Sequence, residues 1–239
     1  MLKLLVSVVD EEEAFEAVFG GANIVDVKNP IEGSLGANFP RVIKRVREVT
    51  PQNVQVSATV GDVPDLPGTV SLAALGVAVS GADYVKVGLY GPKTVGRAIY
   101  LMSEVCKAVT EYDAKVKVVA VGYADFLRSR CLNPLEIPDI AHRANASVAM
   151  IDTKIKDGMK LFDFLSDTQL KVFVRKSHEC GLIAALAGSL TKEDISRVHE
   201  IGADIIGIRG AACECNDRIK GRVQREKVAE LAKAVENNT

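Results

Sequence analysis

The stretch Gly81-Ala82-Asp83-Tyr84-Val85-Lys86-Val87-Gly88 decides the fold of this chain. Its first three residues close a helical segment, and an apolar run interrupted only by Lys86 follows them. A similar phrase of small residues ends two other helical segments, at residues 20–23 and 202–204. Glycine is typical of helix ends, and short apolar runs rich in β-branched residues are typical of strands buried on both faces. The repetition predicts a helix–turn–strand unit that recurs along the chain.

Eight such apolar runs are present, and amphipathic segments with helical spacing lie between them. The predicted strands are Leu4–Val9, Ile24–Val27, Val54–Thr59, Tyr84–Val87, Val116–Val121, Val148–Ile151, Leu182–Ala187 and Ile205–Ile208. The clearest helical segments are Glu11–Phe19, Arg41–Val49, Val95–Thr110, Ile195–Ile201 and Lys227–Val235. Buried strands that alternate with helices predict parallel βαβ units.

The number of units and the chain length together predict the architecture. Eight strands in 239 residues fit an α/β fold, a single (β/α)8 TIM barrel, with residues 1–239 as one catalytic domain. A doubly wound open sheet is the alternative. It is disfavoured because neither a Gly-x-Gly-x-x-Gly turn after the first strand nor a Gly-Lys-Ser/Thr phosphate loop occurs.

Composition excludes several classes of protein. The chain has 30 Lys and Arg against 31 Asp and Glu, so its formal net charge is −1 and a nucleic-acid partner is not expected. Its five cysteines do not suggest a disulfide framework, and Cys213 and Cys215 form a lone Cys-x-Cys without a nearby histidine, so we expect free thiols and no metal. No segment has the length and hydropathy of a membrane span or a secretory leader, so we expect a cytoplasmic protein without a membrane partner.

Charged side chains mark the ends of three predicted strands, where the functional groups of a barrel gather. Asp26 and Lys28 share one face of the second strand, because residues i and i+2 point the same way. Lys86 interrupts the fourth strand, and Asp152 and Lys156 follow the sixth. Burial lowers the pKa of a lysine, and a neighbouring cation lowers it further, which yields the free amine that a Schiff-base nucleophile or a general base requires.

These five residues have a structural interpretation as well as a functional one. Any single Asp–Lys pair could simply join adjacent strands at the top of the barrel. Three lysines with two aspartates are harder to explain in that way, because buried ion pairs stabilise a fold poorly compared with apolar packing. The sequence therefore favours a catalytic cluster.

The last two predicted strands end in small residues and an arginine. Gly188 and Ser189 follow the seventh strand, and Arg209, Gly210 and Ala211 follow the eighth. Small residues at these two positions free backbone N–H groups for an anion, as in phosphate-binding barrels. The alternative is an ordinary turn before a capped helix. We predict a substrate phosphate site, and a second anion could use Lys93 or Arg97, or Arg218 and Arg222; these four charges could equally be solvated.

Several longer strings of residues resemble one enzyme family, the (5-formylfuran-3-yl)methyl phosphate synthases, also called 4-(hydroxymethyl)-2-furancarboxaldehyde-phosphate synthases, of methanogenic archaea. The resemblance spans essentially the whole chain, and related proteins occur in methylotrophic bacteria. The strings that carry it are Asp26-Val27-Lys28-Asn29-Pro30, Glu32-Gly33-Ser34-Leu35-Gly36-Ala37, Ser57-Ala58-Thr59-Val60-Gly61-Asp62, Tyr84-Val85-Lys86-Val87-Gly88-Leu89-Tyr90-Gly91, Asp152-Thr153, Lys156-Asp157-Gly158, Ala185-Leu186-Ala187-Gly188-Ser189 and Arg209-Gly210-Ala211-Ala212-Cys213.

The resemblance implies an activity and roles for the five charged residues. The family is a carbon–oxygen lyase that joins two molecules of glyceraldehyde 3-phosphate into the furan precursor of methanofuran, with release of phosphate and water and without a cofactor. By this resemblance Lys28 is the Schiff-base lysine and Lys86 the proton acceptor. Asp26, Asp152 and Lys156 match supporting positions of the family's active site.

Two other functions remain open at this point. A class I aldolase or an isomerase barrel that acts on sugar phosphates would share the Schiff-base lysine, and only the product would distinguish it. A barrel that binds a phosphorylated metabolite without turnover is a candidate from another class. The expected partner is in each case a small triose phosphate or similar molecule. We also expect a homo-oligomer, with the apolar segments Leu72–Val79 and Ile99–Val109 as a candidate interface or as ordinary barrel-facing helices.

Overall fold

Eight parallel strands close into one barrel in the computed structural model, which describes residues 1–238. Every strand pairs with its neighbours in chain order, and the last strand pairs with the first. The chain is therefore a single (β/α)8 TIM barrel, as the sequence predicts. The strands are β1 (Lys3–Val8), β2 (Ile24–Val27), β3 (Gln55–Asp62), β4 (Tyr84–Gly88), β5 (Lys117–Tyr123), β6 (Val148–Asp152), β7 (Ile183–Ala187) and β8 (Ile205–Ile208).

Helices surround the barrel and connect its strands. They are α1 (Glu11–Phe19), α2 (Pro40–Val49), α3 (Pro67–Val79), α4 (Val95–Tyr112), α5 (Phe126–Ser129), α6 (Ile137–Arg143), α7 (Leu161–Phe164), α8 (Asp167–Glu179), α9 (Ile195–Ile201) and α10 (Arg225–Glu236). Short 3-10 turns lie at Pro134–Glu136, Lys192–Asp194, Gly210–Ala212 and Glu214–Asn216. No helix within residues 1–238 combines the length and the apolar composition that crossing a membrane requires.

All eight predicted strands are confirmed, and four of them end later than predicted: β4 and β6 by one residue, and β3 and β5 by more. β3 continues to Asp62 and β5 to Tyr123, and both extensions lie at the top of the barrel. Polar and glycine residues end the apolar runs in the sequence, whereas pairing with the neighbouring strand continues the ladder. In that ladder Asp62 is level with Gly88, and Tyr123 is level with Asp152.

The buried side chains form two groups on the two faces of the sheet. The larger group lies between the strands and the helices, and the smaller one fills the inside of the barrel. The inner group is apolar in its lower layers and includes these buried residues: Leu5, Ile24, Leu35, Tyr84, Val119, Val121, Tyr123, Val148, Met150, Ala185, Ala187 and Ile205. Charged residues replace apolar ones towards the carboxyl ends of the strands, where catalytic groups of TIM barrels lie.

The connection between β2 and α2 covers part of the barrel top. Leu35 in this connection is fully buried among the side chains of the barrel interior. Ser34 donates a hydrogen bond to the Thr153 carbonyl oxygen (2.6 Å), and Thr59 donates one to the Leu35 carbonyl oxygen (2.8 Å). These bonds hold the connection across β3 and β6, so the barrel stays open on the side of β7, β8 and β1.

Candidate active site

A cavity of about 440 Å³ lies at the carboxyl ends of the strands. Residues of β1, β4 and β6 and Lys28, which follows β2, line it on one side, and the segments after β6, β7 and β8 line it on the other. Its lining includes Lys28, Lys86, Asp152, Lys156, Gly188, Ser189, Arg209, Gly210, Ala211 and Arg218. The structure thus brings nine of the ten sequence-predicted site residues to one cavity, and the tenth, Asp26, pairs with Lys86 just behind its wall.

Asp26 and Lys86 form a buried ion pair between β2 and β4. The Lys86 Nζ atom lies 2.6 Å from Asp26 Oδ2, and the Ser7 hydroxyl donates to the same carboxylate oxygen (3.1 Å). Burial raises the pKa of Asp26, but the charges of Lys86 and Lys28 outweigh that effect and hold this pKa below its usual value. The Ser57 hydroxyl faces the same carboxylate and also favours its ionised form, which lowers the pKa of Asp26. Asp26 is therefore an ionised carboxylate.

Asp152 and Lys156 form a second pair on the segment that follows β6. The Lys156 ammonium donates to Asp152 Oδ1 (2.6 Å) and to the Thr153 hydroxyl (2.8 Å), and the Thr153 N–H donates to Asp152 Oδ1 (2.7 Å). Burial raises the pKa of Asp152, yet the charges of Lys156 and Lys28 overcome it and set this pKa at about 2. Lys156 is thus held over the cavity by a carboxylate that stays ionised.

Lys28 differs from the other two lysines because it has no partner. Its side chain is buried, and its ammonium group forms no hydrogen bond or ion pair with any residue from 1 to 238. Burial and the charges of Lys86 and Lys156 lower the pKa of Lys28 to about 7, although the charges of Asp152 and Asp26 act in the opposite direction. A lysine with this pKa is about half free amine at neutral pH, and the free amine is a nucleophile.

Backbone groups dominate the cavity wall at the ends of β7 and β8. Gly188 and Ser189 both have positive φ angles, +121° and +53°, so the chain turns sharply after β7. Gly210 and Ala211 begin the 3-10 turn after β8, and the first N–H groups of such a turn have no acceptor within it. The arrangement can present N–H groups to an anion in the cavity.

Arg209 also reaches the cavity, but its guanidinium group is already engaged by protein acceptors. Nη1 donates to Glu13 Oε2 (2.8 Å) and to the Ser7 carbonyl oxygen (2.9 Å), and Nε donates to the Arg218 carbonyl oxygen (2.7 Å). Glu13 and Arg209 are both buried. The sequence predicts Arg209 as a phosphate ligand; in the structure its donors join the end of β8 to α1 and to the following loop.

The four further arginines and lysines considered for a second anion separate into two groups. Arg97 pairs with Asp65, Arg222 pairs with Asp10 and Glu12, and Lys93 donates to the carbonyl oxygens of Tyr90 and Arg130. Arg218 alone among these four lines the cavity.

Asp125 and the pair of Tyr123 and Asp62 support the site, although the sequence predicts no role for them. Both carboxylate oxygens of Asp125 accept N–H bonds from the segment after β6, from Lys154 (2.7 Å) and Ile155 (2.9 Å). Tyr123 donates a short hydrogen bond to Asp62 (2.5 Å) beside Gly88. Their positions at strand ends are visible in the sequence, but their partners depend on the closed barrel.

Residues for a metal site are not gathered anywhere in the described part of the chain. Within residues 1–238 no group of three or more His, Cys, Asp or Glu side chains is arranged to hold a metal ion. Cys213 is buried, Cys215 is exposed, and both are free thiols. His178 contacts Asp204 on the surface of the barrel, away from the cavity.

Comparisons with known proteins agree with this architecture and identify the family. Residues 4–232 match the family model described as 4-HFC-P synthase. The (5-formylfuran-3-yl)methyl phosphate synthase of Methanocaldococcus jannaschii is 59% identical over 95% of this chain and 97% of its own length. The enzyme of the same name from Methanococcus aeolicus is 58% identical over 98% of this chain and 99% of its own.

A solved structure supports the fold alone. The 3-hexulose-6-phosphate synthase from Salmonella typhimurium superposes with a TM-score of 0.69, at 17% identity over 99% of this chain and all of its own. Because the family match covers nearly the whole sequence and the curated relatives are more than half identical to it, this chain belongs to the 4-HFC-P synthase family.

Proposed function

We propose that this chain condenses two molecules of glyceraldehyde 3-phosphate into (5-formylfuran-3-yl)methyl phosphate, a step of methanofuran biosynthesis, through a Schiff base on Lys28. The names of its relatives support the product. One structural observation supports the nucleophile: of the three lysines in the cavity, Lys86 and Lys156 are paired with carboxylates, whereas Lys28 is not.

The first step uses the free amine of Lys28. Its nitrogen attacks the aldehyde carbon of one triose phosphate, and loss of water leaves a protonated imine. The positive charge on that imine withdraws electrons from the adjacent C–H bond and acidifies it. Asp152 and Asp26 lie near enough to raise the pKa of Lys28, so their carboxylates also stabilise the positive imine that replaces the amine.

The second step moves the proton of the acidified C–H bond. Lys86 lines the cavity together with Lys28, and its ion-pair partner Asp26 lies just behind the wall. We assign proton uptake to Lys86, which lines the cavity: the proton that it shares with Asp26 passes to Asp26 Oδ2, and the Lys86 amine then takes the proton from carbon. The electron pair left behind forms an enamine.

The enamine then leads to the ring. Its electrons expel the phosphate group at the neighbouring carbon, or its carbon attacks the aldehyde of the second triose phosphate. Ring closure through a hydroxyl oxygen and dehydration give the furan, and hydrolysis frees Lys28. Two triose phosphates lose one phosphate and two waters in total, so no oxidant or reductant is consumed.

The walls of the cavity supply the phosphate contacts in this proposal. The turns at Gly188 and Ser189 and at Gly210 and Ala211 offer backbone N–H groups. Arg209 supports this wall, because its guanidinium group ties the end of β8 to Glu13 on α1. Lys156 adds a fixed positive charge across the same cavity.

Incubation of the purified protein with glyceraldehyde 3-phosphate alone tests the proposal. We expect a near-ultraviolet furan-aldehyde absorbance and the mass of its phosphate ester. Lys28→Arg, which keeps the charge but cannot form a Schiff base, should abolish both signals, while Lys171→Arg at an exposed position should leave them intact. A mixture of triose and hexose phosphates without the chromophore would indicate an aldolase or isomerase instead. Absence of any product would refute the substrate assignment.

A further inference from the structure

Arg218 is a cation of the cavity that has no carboxylate partner. Its side chain is half-buried and lines the cavity, and within residues 1–238 it forms no ion pair. Its one hydrogen bond runs from Nη2 to the Gly33 carbonyl oxygen at 3.4 Å, which is long for an N–H···O bond. Three other cations that line this cavity each pair with a carboxylate: Lys86 with Asp26, Lys156 with Asp152, and Arg209 with Glu13.

The loop that carries Arg218, residues 213–221, is fixed at its backbone. Cys213 pairs with Val223 in a β-bridge, and the Glu214 N–H donates to the Arg222 carbonyl oxygen (2.8 Å). The Arg218 carbonyl oxygen accepts the bond from Arg209 Nε (2.7 Å). The loop is thus held to the barrel next to Arg218, while the guanidinium group of Arg218 is left with one weak contact.

The surroundings of this guanidinium group favour an anion. Burial and the nearby Arg209 lower the pKa of Arg218, whereas the charge of Asp152 raises it. The group remains a cation nevertheless, because arginine does not lose its proton in proteins. A partly desolvated cation without a counter-charge is unfavourable, and an anion that enters the cavity removes that cost. The weak bond to Gly33 is easily given up in exchange.

We propose that Arg218 binds the phosphate group of a triose phosphate in this cavity and selects phosphorylated over unphosphorylated aldehydes. This inference rests on the proposed function and extends it to a residue that determines specificity. A phosphate group suits the position because its oxygens accept the paired N–H donors of a guanidinium group. Gly210 and Ala211 line the same cavity as Arg218.

Borohydride trapping of the Schiff base, measured by intact-protein mass, separates the phosphate contact from the chemistry. Arg218→Met should raise the half-saturating concentration of glyceraldehyde 3-phosphate about 10–100-fold, the range for loss of a charged hydrogen bond. Trapping by unphosphorylated glyceraldehyde should not change. Arg218→Lys should fall between wild type and Arg218→Met, because it keeps the charge but not the paired donors. Lys220→Met removes an exposed charge of the same loop and is the matched control.

Two results would overturn the role of Arg218. One is an equal dependence on glyceraldehyde 3-phosphate in Arg218→Met and Lys220→Met, and the other is an equal loss with both aldehydes in Arg218→Met. If neither aldehyde is trapped by the wild-type protein, the Schiff-base proposal is wrong, and calorimetric titration with inorganic phosphate decides on Arg218 alone. Weaker phosphate binding in Arg218→Met than in Lys220→Met supports the proposal, and equal binding refutes it.

Discussion

The Nζ atom of Lys86 lies 2.6 Å from Asp26 Oδ2, and both side chains are almost completely buried, at 2% and 0% exposure. This pair influences the protonation state of Lys28. Asp26 and Asp152 provide two negative charges, which Lys86 and Lys156 already balance. A proton on Lys28 would be a third positive charge in the same buried space, so Lys28 is the lysine that releases its proton most readily.

Breaking this pair is expected to destabilise the fold as well as the activity. Asp26→Asn leaves the buried Lys86 ammonium without its counter-charge, and losses of this kind cost about 3–5 kcal/mol. We expect that decrease in the free energy of unfolding, measured by urea denaturation. We also expect the rate of furan formation to fall at least about 100-fold, because the pair no longer takes up the proton.

The control for this prediction is an ion pair that is exposed. Arg97 pairs with Asp65 at 49% and 28% exposure, so Asp65→Asn should cost no more than about 1 kcal/mol. Equal losses of stability in Asp26→Asn and Asp65→Asn would show that the buried pair stabilises the fold no more than an exposed pair does.

The rate of Schiff-base formation is expected to depend on pH through Lys28. The pKa of Lys28 is about 7, so trapping should be fastest above that pH and decrease as Lys28 becomes protonated below it. The charge of Asp152 raises this pKa, and Lys156 lowers it. Asp152→Asn removes the negative charge that raises the pKa of Lys28 and leaves the positive charge of Lys156 without its partner. Both changes lower the pKa of Lys28, so the midpoint of the pH profile should move to lower pH by about one unit. A midpoint that moves upward in the pH profile of trapping would contradict these electrostatics.

Lys28 is expected to lower the stability of the folded protein. Its pKa is about 7 in the folded chain against 10.5 as its ordinary value, so the folded state binds fewer protons than the unfolded state between these values. The loss of folding stability caused by burying Lys28 is therefore complete below pH 7 and disappears as the pH approaches 10.5. Lys28→Met should raise the free energy of unfolding at neutral pH by at least about 1 kcal/mol, and the gain should shrink at alkaline pH. Urea denaturation at both pH values measures it, and a gain that grows with pH would contradict the prediction.

The fold could be predicted from the sequence because each unit repeats the same local pattern. The helix-ending phrase at residues 81–83 is followed directly by β4, and Ile24–Val27 and Ile205–Ile208 have the predicted bounds. The upper ends of β3 and β5 could not be predicted, since pairing resumes at Asp62 after a shift of register in β3 and continues through Gly122 and Tyr123 in β5. The apolar run of each of these two strands ends before its pairing with the neighbouring strand does.

The members of the site could be predicted, but their partners could not. The strand ends identify Asp26, Lys28 and Lys86, since the barrel fold brings such positions together. Which lysine stays unpaired depends on distances across the barrel. Arg209 shows the same limit. Its partner Glu13 lies in a run of acidic residues at the start of α1, where such residues are normally solvated. Glu13 is buried because α1 packs against β1, which is paired with β8, the strand that precedes Arg209.

Gly88 is expected to be required for packing at the barrel top, where the connection between β2 and α2 covers the strands. A Cβ atom at this position would collide with the Tyr123 hydroxyl and would approach Leu35 Cδ1 to 2.8 Å and the Gly61 carbonyl oxygen to 2.9 Å. Gly88→Ala should therefore displace Tyr123 from Asp62 and Leu35 from the barrel, and overpacking of this kind costs about 1–3 kcal/mol. Gly76 in α3 has open space around it, so Gly76→Ala should instead stabilise the helix by about 0.5–1 kcal/mol. Urea denaturation of both variants measures these opposite signs, and a Gly88→Ala variant as stable as wild type would show that the barrel top accommodates the methyl group.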